Sequence, residues 1–158
     1  MRTFQGGFEA RGRRFAVVAA RFNEVVVRQL VEGAEACLRK HGVGDDDMDL
    51  AWTPGAFEIP LVARRLAETG AYDAVICLGA VIRGDTPHFD HVAGQVAAGI
   101  REAGVATGVP VIFGVLTTDT VEQAVDRAGG KHGNKGWDAA MAAMEMSGLL
   151  EALPKPEA

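Results

Sequence analysis

The sequence has few of the features that mark secreted, zinc-binding or membrane proteins. Only two cysteines are present, Cys37 and Cys77, and no CxxC or zinc-ligand spacing occurs. Both lie in apolar patterns, which favours small buried side chains. No apolar run approaches the length of a membrane span, and the first residues, MRTFQGGFEARGRR, lack the apolar centre of a signal peptide. We therefore expect a cytoplasmic protein with no membrane partner.

Excess positive charge and phosphate-binding loops are also missing. The net charge is −5, which argues against nucleic acid as a partner. No GxGxxG follows a predicted strand and no GxxxxGK[ST] occurs, so dinucleotide and P-loop sites lose their main support. What is present, 158 residues with 48% hydrophobic and 23% charged residues, predicts one globular domain over 1–158.

Short apolar runs rich in β-branched residues alternate with amphipathic stretches along the chain. Strands are predicted at Phe15–Ala20, Met48–Thr53, Ala74–Ile82 and Val109–Leu116. Helices are predicted after Asn23, from about Pro60 in the first turn to Gly70, from Thr86–Pro87 to about Thr107, from Thr120, and around 137–149. The uninterrupted apolar run AVICLGAVI is typical of a strand covered on both faces. The pattern therefore predicts an α/β fold, with a central parallel sheet of four strands flanked by helices.

Three helix starts carry recognisable signals. Asn23 is a good N-cap, Thr86–Pro87 resembles an N-cap followed by the first helical residue, and Thr120–Gln123 (TVEQ) fits a capping box. The segment Gly129–Gly136 is polar and rich in glycine, and we predict a loop there.

In open parallel sheets, ligands bind outside the carboxyl ends of the strands. This rule selects Arg21–Asn23, Pro54–Glu58, Arg83–His88 and Thr117–Asp119 as the segments in which to look for chemistry.

His88 is the strongest catalytic candidate. A buried strand leads to Gly84, and the helix that opens near Thr86 offers free N–H groups and the positive end of its dipole to an anion. That end also favours a neutral imidazole, which can accept a proton near pH 7. The alternative is that His88 merely packs on its own helix. His88 and His91 lack further ligands at metal-site spacing, so we expect no metal.

Other candidates are weaker when taken singly. The N–H groups and carboxylate of Ala56–Glu58 can hold hydroxyls of a polyol, although a plain helix-entry turn is an equal alternative. Phe22 can stack on a planar ring, and Arg127 and Lys135 can bind a phosphate. A core phenylalanine and solvated surface charges are the commoner outcomes.

Taken together, seven segments resemble the motifs of the 6,7-dimethyl-8-ribityllumazine synthase family. They are RFNE, QLVEGA, PGAFEIP, GAVIRGDTPHFDH, FGVLTTDT, EQAVDRAG and GNKG, in the family's order from about Arg21 to Gly136. The resemblance implies a flavodoxin-like three-layer α/β/α sandwich. It also implies condensation of 5-amino-6-(D-ribitylamino)uracil with 3,4-dihydroxy-2-butanone 4-phosphate to the lumazine, phosphate and water, with no cofactor. This would be the penultimate step of riboflavin biosynthesis.

The resemblance assigns roles to individual residues. Phe22 would stack on the pyrimidine and His88 would transfer protons. Backbone and side-chain groups that would bind the rest of the pyrimidine substrate are Ala56, Phe57 and Glu58 for the ribityl chain, and Ala80, Val81 and Ile82 for the uracil edge. Residues that would contact the phosphate substrate or close the pocket are Asp85, Thr86, Phe113, Arg127 and Lys135.

The same resemblance implies a homo-oligomer, a pentamer that in many members builds an icosahedral shell of sixty chains. Phe113, Arg127 and Lys135 would then come from a neighbouring subunit. An N-terminal arm, residues 1–12, would pack on a neighbour and add Phe4–Glu9 to its sheet edge.

Two positions depart from the family pattern, and three rival functions stay open. Asp85 stands where a small residue is frequent, and His91 stands where Tyr is common. A carboxylate at 85 would repel phosphate unless it is paired or points away. The rivals are a non-catalytic flavin- or lumazine-binding module, a structural shell protein, and an archaeal-type riboflavin synthase, which needs no phosphate clamp.

Overall fold

A four-stranded, entirely parallel sheet in the order β2-β1-β3-β4 forms the centre of the molecule. The structure is a computed structural model that describes residues 1–157. The strands are β1 (Phe15–Ala20), β2 (Met48–Thr53), β3 (Ala74–Ile82) and β4 (Val111–Thr118). The helices are α1 (Glu24–Lys40), α2 (Ile59–Glu68), α3 (His88–Thr107), α4 (Val121–Arg127) and α5 (Lys135–Ala152).

Helices cover both faces of this sheet. Alternate side chains of β1 point to opposite sides, so that Val17 packs with α1 and α5 whereas Val18 packs with α2 and α3. All of β1 and nearly all of β3 are buried, as the uninterrupted apolar run at β3 predicted. The predicted three-layer α/β/α architecture is confirmed.

The strands do not all end at the same level. Pairing between β1 and β3 stops at Ala19 and Leu78, whereas β3 and β4 remain paired up to Ile82 and Thr118. The carboxyl end of β3 therefore projects beyond β1 and leaves part of its edge without a strand neighbour on that side.

Helices α1 and α5 pack unusually closely, and glycine makes this possible. A Cβ at Gly136 would overlap the carbonyl of Leu30 on α1. Just before it, Asn134 caps α5 by accepting from the N–H groups of Gly136 and Trp137 at 2.8 and 3.1 Å. Its amide also donates to the Gln29 carbonyl at 3.0 Å, so one side chain both starts α5 and ties it to α1.

Some predicted element boundaries need correction. Strand β4 begins at Val111 rather than Val109, because Pro110 has no N–H to contribute to the ladder. The segment predicted as a loop at Gly129–Gly136 contains a small antiparallel pair, β5 (Ala128–Gly130) with β6 (Gly133–Asn134). The sequence did not predict this pair, because its strands are short and rich in glycine and show no alternation of apolar and polar residues.

Two predicted caps are wrong and one is confirmed. Asn23 occupies the N-cap position of α1, but its side chain does not cap the helix. Helix α3 starts at His88 without a side-chain cap, so Thr86 does not act as the N-cap. The N-cap at Thr120 is confirmed, since its Oγ1 accepts from the N–H of Gln123 at 3.1 Å. The return bond of a capping box is shifted by one residue, because Gln123 Oε1 accepts from the N–H of Asp119 at 2.8 Å.

The N-terminal segment has no regular secondary structure before β1. Gly6 lies against the backbone of α5 at Glu145, while Phe8 stays 43% exposed beside the ring of His41. No helix within residues 1–157 is long and apolar enough to cross a membrane.

Candidate active site

A cavity of about 600 Å³ opens at the carboxyl edge of the sheet, where ligands were expected. We call it the first cavity. It brings together many of the residues singled out in the sequence, namely Phe22, Ala56, Phe57, Glu58, Ala80, Val81, Ile82, Thr86 and His88. Three chain segments that are distant in sequence therefore meet at one place.

Phe22 lies on the rim of the first cavity. The N–H groups of Arg21 and Phe22 donate to the carbonyls of Thr53 and Pro54 at 2.8 and 3.1 Å, which continues the pairing of β1 and β2 past their ends. The Phe22 side chain itself is 72% exposed. An aromatic ring held out over a cavity, with little packing from its own chain, is suited to stacking on a flat ligand.

The floor on the β2 side is a tight turn. Ala56–Glu58 forms one turn of 3₁₀ helix directly before α2. The buried hydroxyl of Thr53 donates to the Gly55 carbonyl at 2.8 Å and fixes the start of this turn. A Cβ at Gly55 would lie 3.3 Å from Glu58 Oε2, so the carboxylate folds back over the turn. This places one acceptor beside the N–H groups of a helix start.

His88 is the first residue of α3, a helix of 20 residues, and its side chain is exposed to the first cavity. The free N–H groups and dipole of such a helix start attract an anion to the place where the imidazole lies. His91 lies one turn further along and lines the same cavity.

Arg83 braces the loop that leads to His88. Its Nε donates to Asp119 at 2.9 Å and its Nη1 to Asp90 at 3.4 Å, and the guanidinium lies 4.3 Å from the centre of the Phe89 ring. The hydrogen bond to Asp119 raises the pKa of Arg83 further, so the group stays charged. The ends of β3 and β4 are thereby linked to the first turn of α3.

A second cavity, of about 370 Å³, lies on the far side of β4. It holds three of the four predicted site residues that the first cavity lacks: Phe113, Arg127 and Lys135. Arg127, the last residue of α4, is half-buried and donates to the Gln123 carbonyl at 3.0 Å. Lys135 begins α5 directly after the Asn134 cap. Phe113 on β4 is 40% exposed. Within one chain, these groups do not line the cavity that contains His88.

The comparison with known proteins identifies the family. The profile of the 6,7-dimethyl-8-ribityllumazine synthase family matches residues 12–151. The chain belongs to the 6,7-dimethyl-8-ribityllumazine synthase family. A relative from Clostridium kluyveri, itself named 6,7-dimethyl-8-ribityllumazine synthase, is 52% identical over 153 residues, which cover 97% of this chain and 99% of the relative. The resemblance inferred from the sequence motifs is confirmed.

In this lumazine synthase family member, the first cavity also contains residues that were not assigned a role from the sequence. They are Asn23, Gly55, Gly84, Phe89, His91 and Val92. His91 and Val92 could have been found from helical spacing, because they lie one turn after His88. Phe89 carries no such signal, because adjacent residues of a helix do not share a face. Asn23 was misinterpreted as a helix cap. Asp85 is exposed and lines neither cavity.

The two cysteines lie away from both cavities. Cys37 and Cys77 are fully buried and unpaired, as their apolar surroundings predicted. Burial raises the pKa of the Cys37 thiol to about 11 and that of Cys77 still further. Across residues 1–157, no group of three or more His, Cys, Asp or Glu side chains comes close enough to hold a metal ion.

Proposed function

We propose that this chain condenses 5-amino-6-(D-ribitylamino)uracil with 3,4-dihydroxy-2-butanone 4-phosphate, giving 6,7-dimethyl-8-ribityllumazine, phosphate and water. The observation that carries the proposal is the first cavity, which is lined by the exposed Phe22 ring, by the Ala56–Glu58 turn and by His88 in a member of this family.

The pyrimidine substrate occupies the first cavity in this proposal. Its ring stacks on Phe22, and its uracil edge bonds to backbone groups of Ala80, Val81 and Ile82. Its ribityl hydroxyls bond to the N–H groups of Ala56 and Phe57 and to the Glu58 carboxylate. The mainly apolar wall of β3 excludes water, which strengthens each of these polar contacts.

The phosphate substrate binds where two protomers meet. Thr86 and the N–H groups at the start of α3 come from one chain, with Asp85 at the edge of the same loop. Phe113, Arg127 and Lys135 come from its neighbour. Each cavity is lined by exposed apolar side chains, Phe22 and Phe57 in the first and Phe113 in the second, which supports two different faces meeting head to tail.

The chemistry then requires positioning and proton transfer. The amine of the pyrimidine attacks the ketone, and loss of water gives an imine. Removal of a proton from the adjacent carbon by His88 allows phosphate to leave, and the cationic groups of Arg127 and Lys135 stabilise its charge. Tautomerisation gives a new ketone, and attack by the ribitylamino nitrogen with loss of a second water closes the ring. Holding both reactants in contact lowers the barrier for each addition.

The head-to-tail contact extends this proposal to the whole assembly. A heterologous contact that closes gives a ring, here a pentamer, and further contacts build a shell of sixty chains. In that assembly the exposed side chains of the arm of residues 1–12 contact a neighbouring chain, while Gly6 stays against α5 of its own chain. The domain is single over 1–158, and the enzyme works in the cytoplasm without cofactor or metal.

The direct test is product formation from two purified substrates, followed by lumazine absorbance, with a chelator present and no metal added. We expect product to accumulate together with one phosphate per lumazine. Riboflavin or lumazine binding without turnover would instead favour a binding module. Assembly without either binding or turnover would favour a structural shell protein.

A further inference from the structure

Asn23, at the join between β1 and α1, has a backbone conformation that needs an explanation. Its φ of 62° and ψ of 42° are left-handed, and within residues 1–157 it is the only non-glycine residue with a positive φ. Asparagine tolerates this region better than most residues, but right-handed conformations remain more stable. Because the side chain does not cap α1, the conformation must serve another contact.

That contact is with the projecting end of β3. The Asn23 side-chain amide donates to the Ala80 carbonyl at 2.7 Å. Since pairing of β1 with β3 stops at Leu78, Ala80 lies beyond the reach of the β1 backbone. Asn23 supplies the hydrogen bond that a longer β1 would have given. A buried carbonyl left without a partner would be costly, so the contact holds the two segments together.

The residue affected most directly is Phe22. Its ring is 72% exposed, so contacts with its own chain do little to fix it. Its position follows from the backbone of residues 22 and 23, which is tied to Pro54 on one side by the Phe22 N–H and to Ala80 on the other by the Asn23 amide. Phe22, Asn23 and Ala80 all line the first cavity.

We propose that Asn23 is a positioning residue for the pyrimidine substrate. Its bond to Ala80 sets the separation between the Phe22 ring and the Ala80–Ile82 edge. This inference rests on the proposed function, in which one flat ring must stack on the former and bond to the latter at once. The phosphate substrate uses neither surface for binding, so Asn23 acts selectively on the pyrimidine.

Two variants separate the hydrogen bond from the backbone conformation. Asn23→Gly keeps the left-handed conformation and removes the amide. Asn23→Asp keeps the size but directs an acceptor at the Ala80 carbonyl. We expect both to raise KM for the ribitylaminopyrimidine about tenfold, as for the loss of one hydrogen bond at a buried acceptor. KM for the butanone phosphate, measured with saturating pyrimidine, should change by less than about twofold.

Asn23→Ala serves as the matched control for backbone strain. It removes the same hydrogen bond as Asn23→Gly but disfavours a positive φ, so we expect the same KM for the pyrimidine together with a lower melting temperature. Combining Asn23→Gly with Phe22→Ala provides a second control. If Asn23 acts through the Phe22 ring, the double variant should bind the pyrimidine no worse than Phe22→Ala alone.

Three outcomes would overturn the inference. They are an unchanged KM for the pyrimidine in both Asn23→Gly and Asn23→Asp, equal losses for the two substrates, or fully additive effects with Phe22→Ala. Failure of the native chain to form lumazine would instead overturn the proposed function, so the two failures are distinguishable.

Discussion

His88 is the first residue of a long helix and faces the first cavity, where it is the only residue proposed to transfer protons. We predict that His88→Ala lowers kcat by roughly 10²–10⁴-fold, because the proton next to the imine then has no positioned base. Steady-state kinetics with both substrates saturating gives the value. His41→Ala, which alters a histidine that lines neither cavity, is the control and should keep the native kcat. An undiminished rate in the His88 variant would assign proton transfer to another group.

Arg127 differs from His88 in the kind of contact proposed for it. Removing the guanidinium takes away a charge-assisted bond to phosphate, so Arg127→Ala should raise KM for butanone phosphate about 10- to 100-fold. KM for the pyrimidine should stay close to native, since that substrate does not reach the second cavity. Arg65→Ala, an exposed arginine on α2 outside both cavities, is the matched control. Equal KM values for the Arg127 variant and the native chain would remove Arg127 from the site.

Some site residues could be predicted one at a time and others could not. The rule for the carboxyl ends of parallel strands found the segments of Phe22, Ala56–Glu58 and His88, because it needs only strand positions. Asn23 lay in one of these segments, yet its role depends on Ala80, a contact across 57 residues that no local pattern shows. Local spacing favoured the common use of asparagine as a cap, and the tertiary contact overrode it.

At the scale of elements, the long apolar runs were predicted best. Strands β1 and β3 begin and end where the sequence placed them, because buried parallel strands have continuous apolar runs bounded by turn residues. Strand β2 also has its predicted bounds, although it is an edge strand that is only partly buried. The β5–β6 pair was missed because two- and three-residue strands carry no periodicity. Helix starts were less predictable, since Thr86 and Asn23 each fit a local cap that the folded chain does not use.

The close packing of α1 on α5 gives a prediction at this scale. Gly136→Ala should lower the free energy of unfolding by about 1–3 kcal/mol, because the added Cβ meets the Leu30 carbonyl and forces the helices apart. Gly44→Ala is the matched control. Its φ of −75° and ψ of 157° suit alanine, so its stability should change by less than about 1 kcal/mol. Urea unfolding at equal protein concentration measures both. Equal stability of the two variants would contradict the packing argument.

At the scale of the whole molecule, the two cavities are the main feature that local patterns did not reveal. From residue types alone, Arg127 and Lys135 were candidates for phosphate binding with a solvated surface charge as the commoner alternative, and only the family resemblance placed them in a site. The structure explains this difficulty, because within one chain they line a different cavity from His88. In the proposed function they act together with a second copy of the chain, and patterns within one chain do not show such a contact.

Assembly is therefore required for activity in this account, and its size is measurable. Light scattering should give about 1,000 kDa for a shell of sixty chains, each of 16.6 kDa. A mass near 83 kDa, which is five times the mass of one chain, would reject the shell of sixty chains but agree with a pentamer. A monomer that retains full activity would contradict both, because it could not bring Arg127 to His88 in the way proposed.

The most direct test of the shared site mixes two variant chains, each of which lacks one of the two groups proposed to meet at the interface. His88→Ala and Arg127→Ala chains are dissociated, combined in equal amounts and reassembled, and lumazine formation is measured at low butanone phosphate. Half of the chains carry an intact His88 and the other half an intact Arg127, and neighbouring chains pair at random. About a quarter of the interfaces therefore contain both residues, and the mixture should recover about a quarter of the native rate. A rate no higher than the mean of the separate variants would show that the two cavities are not halves of one active site.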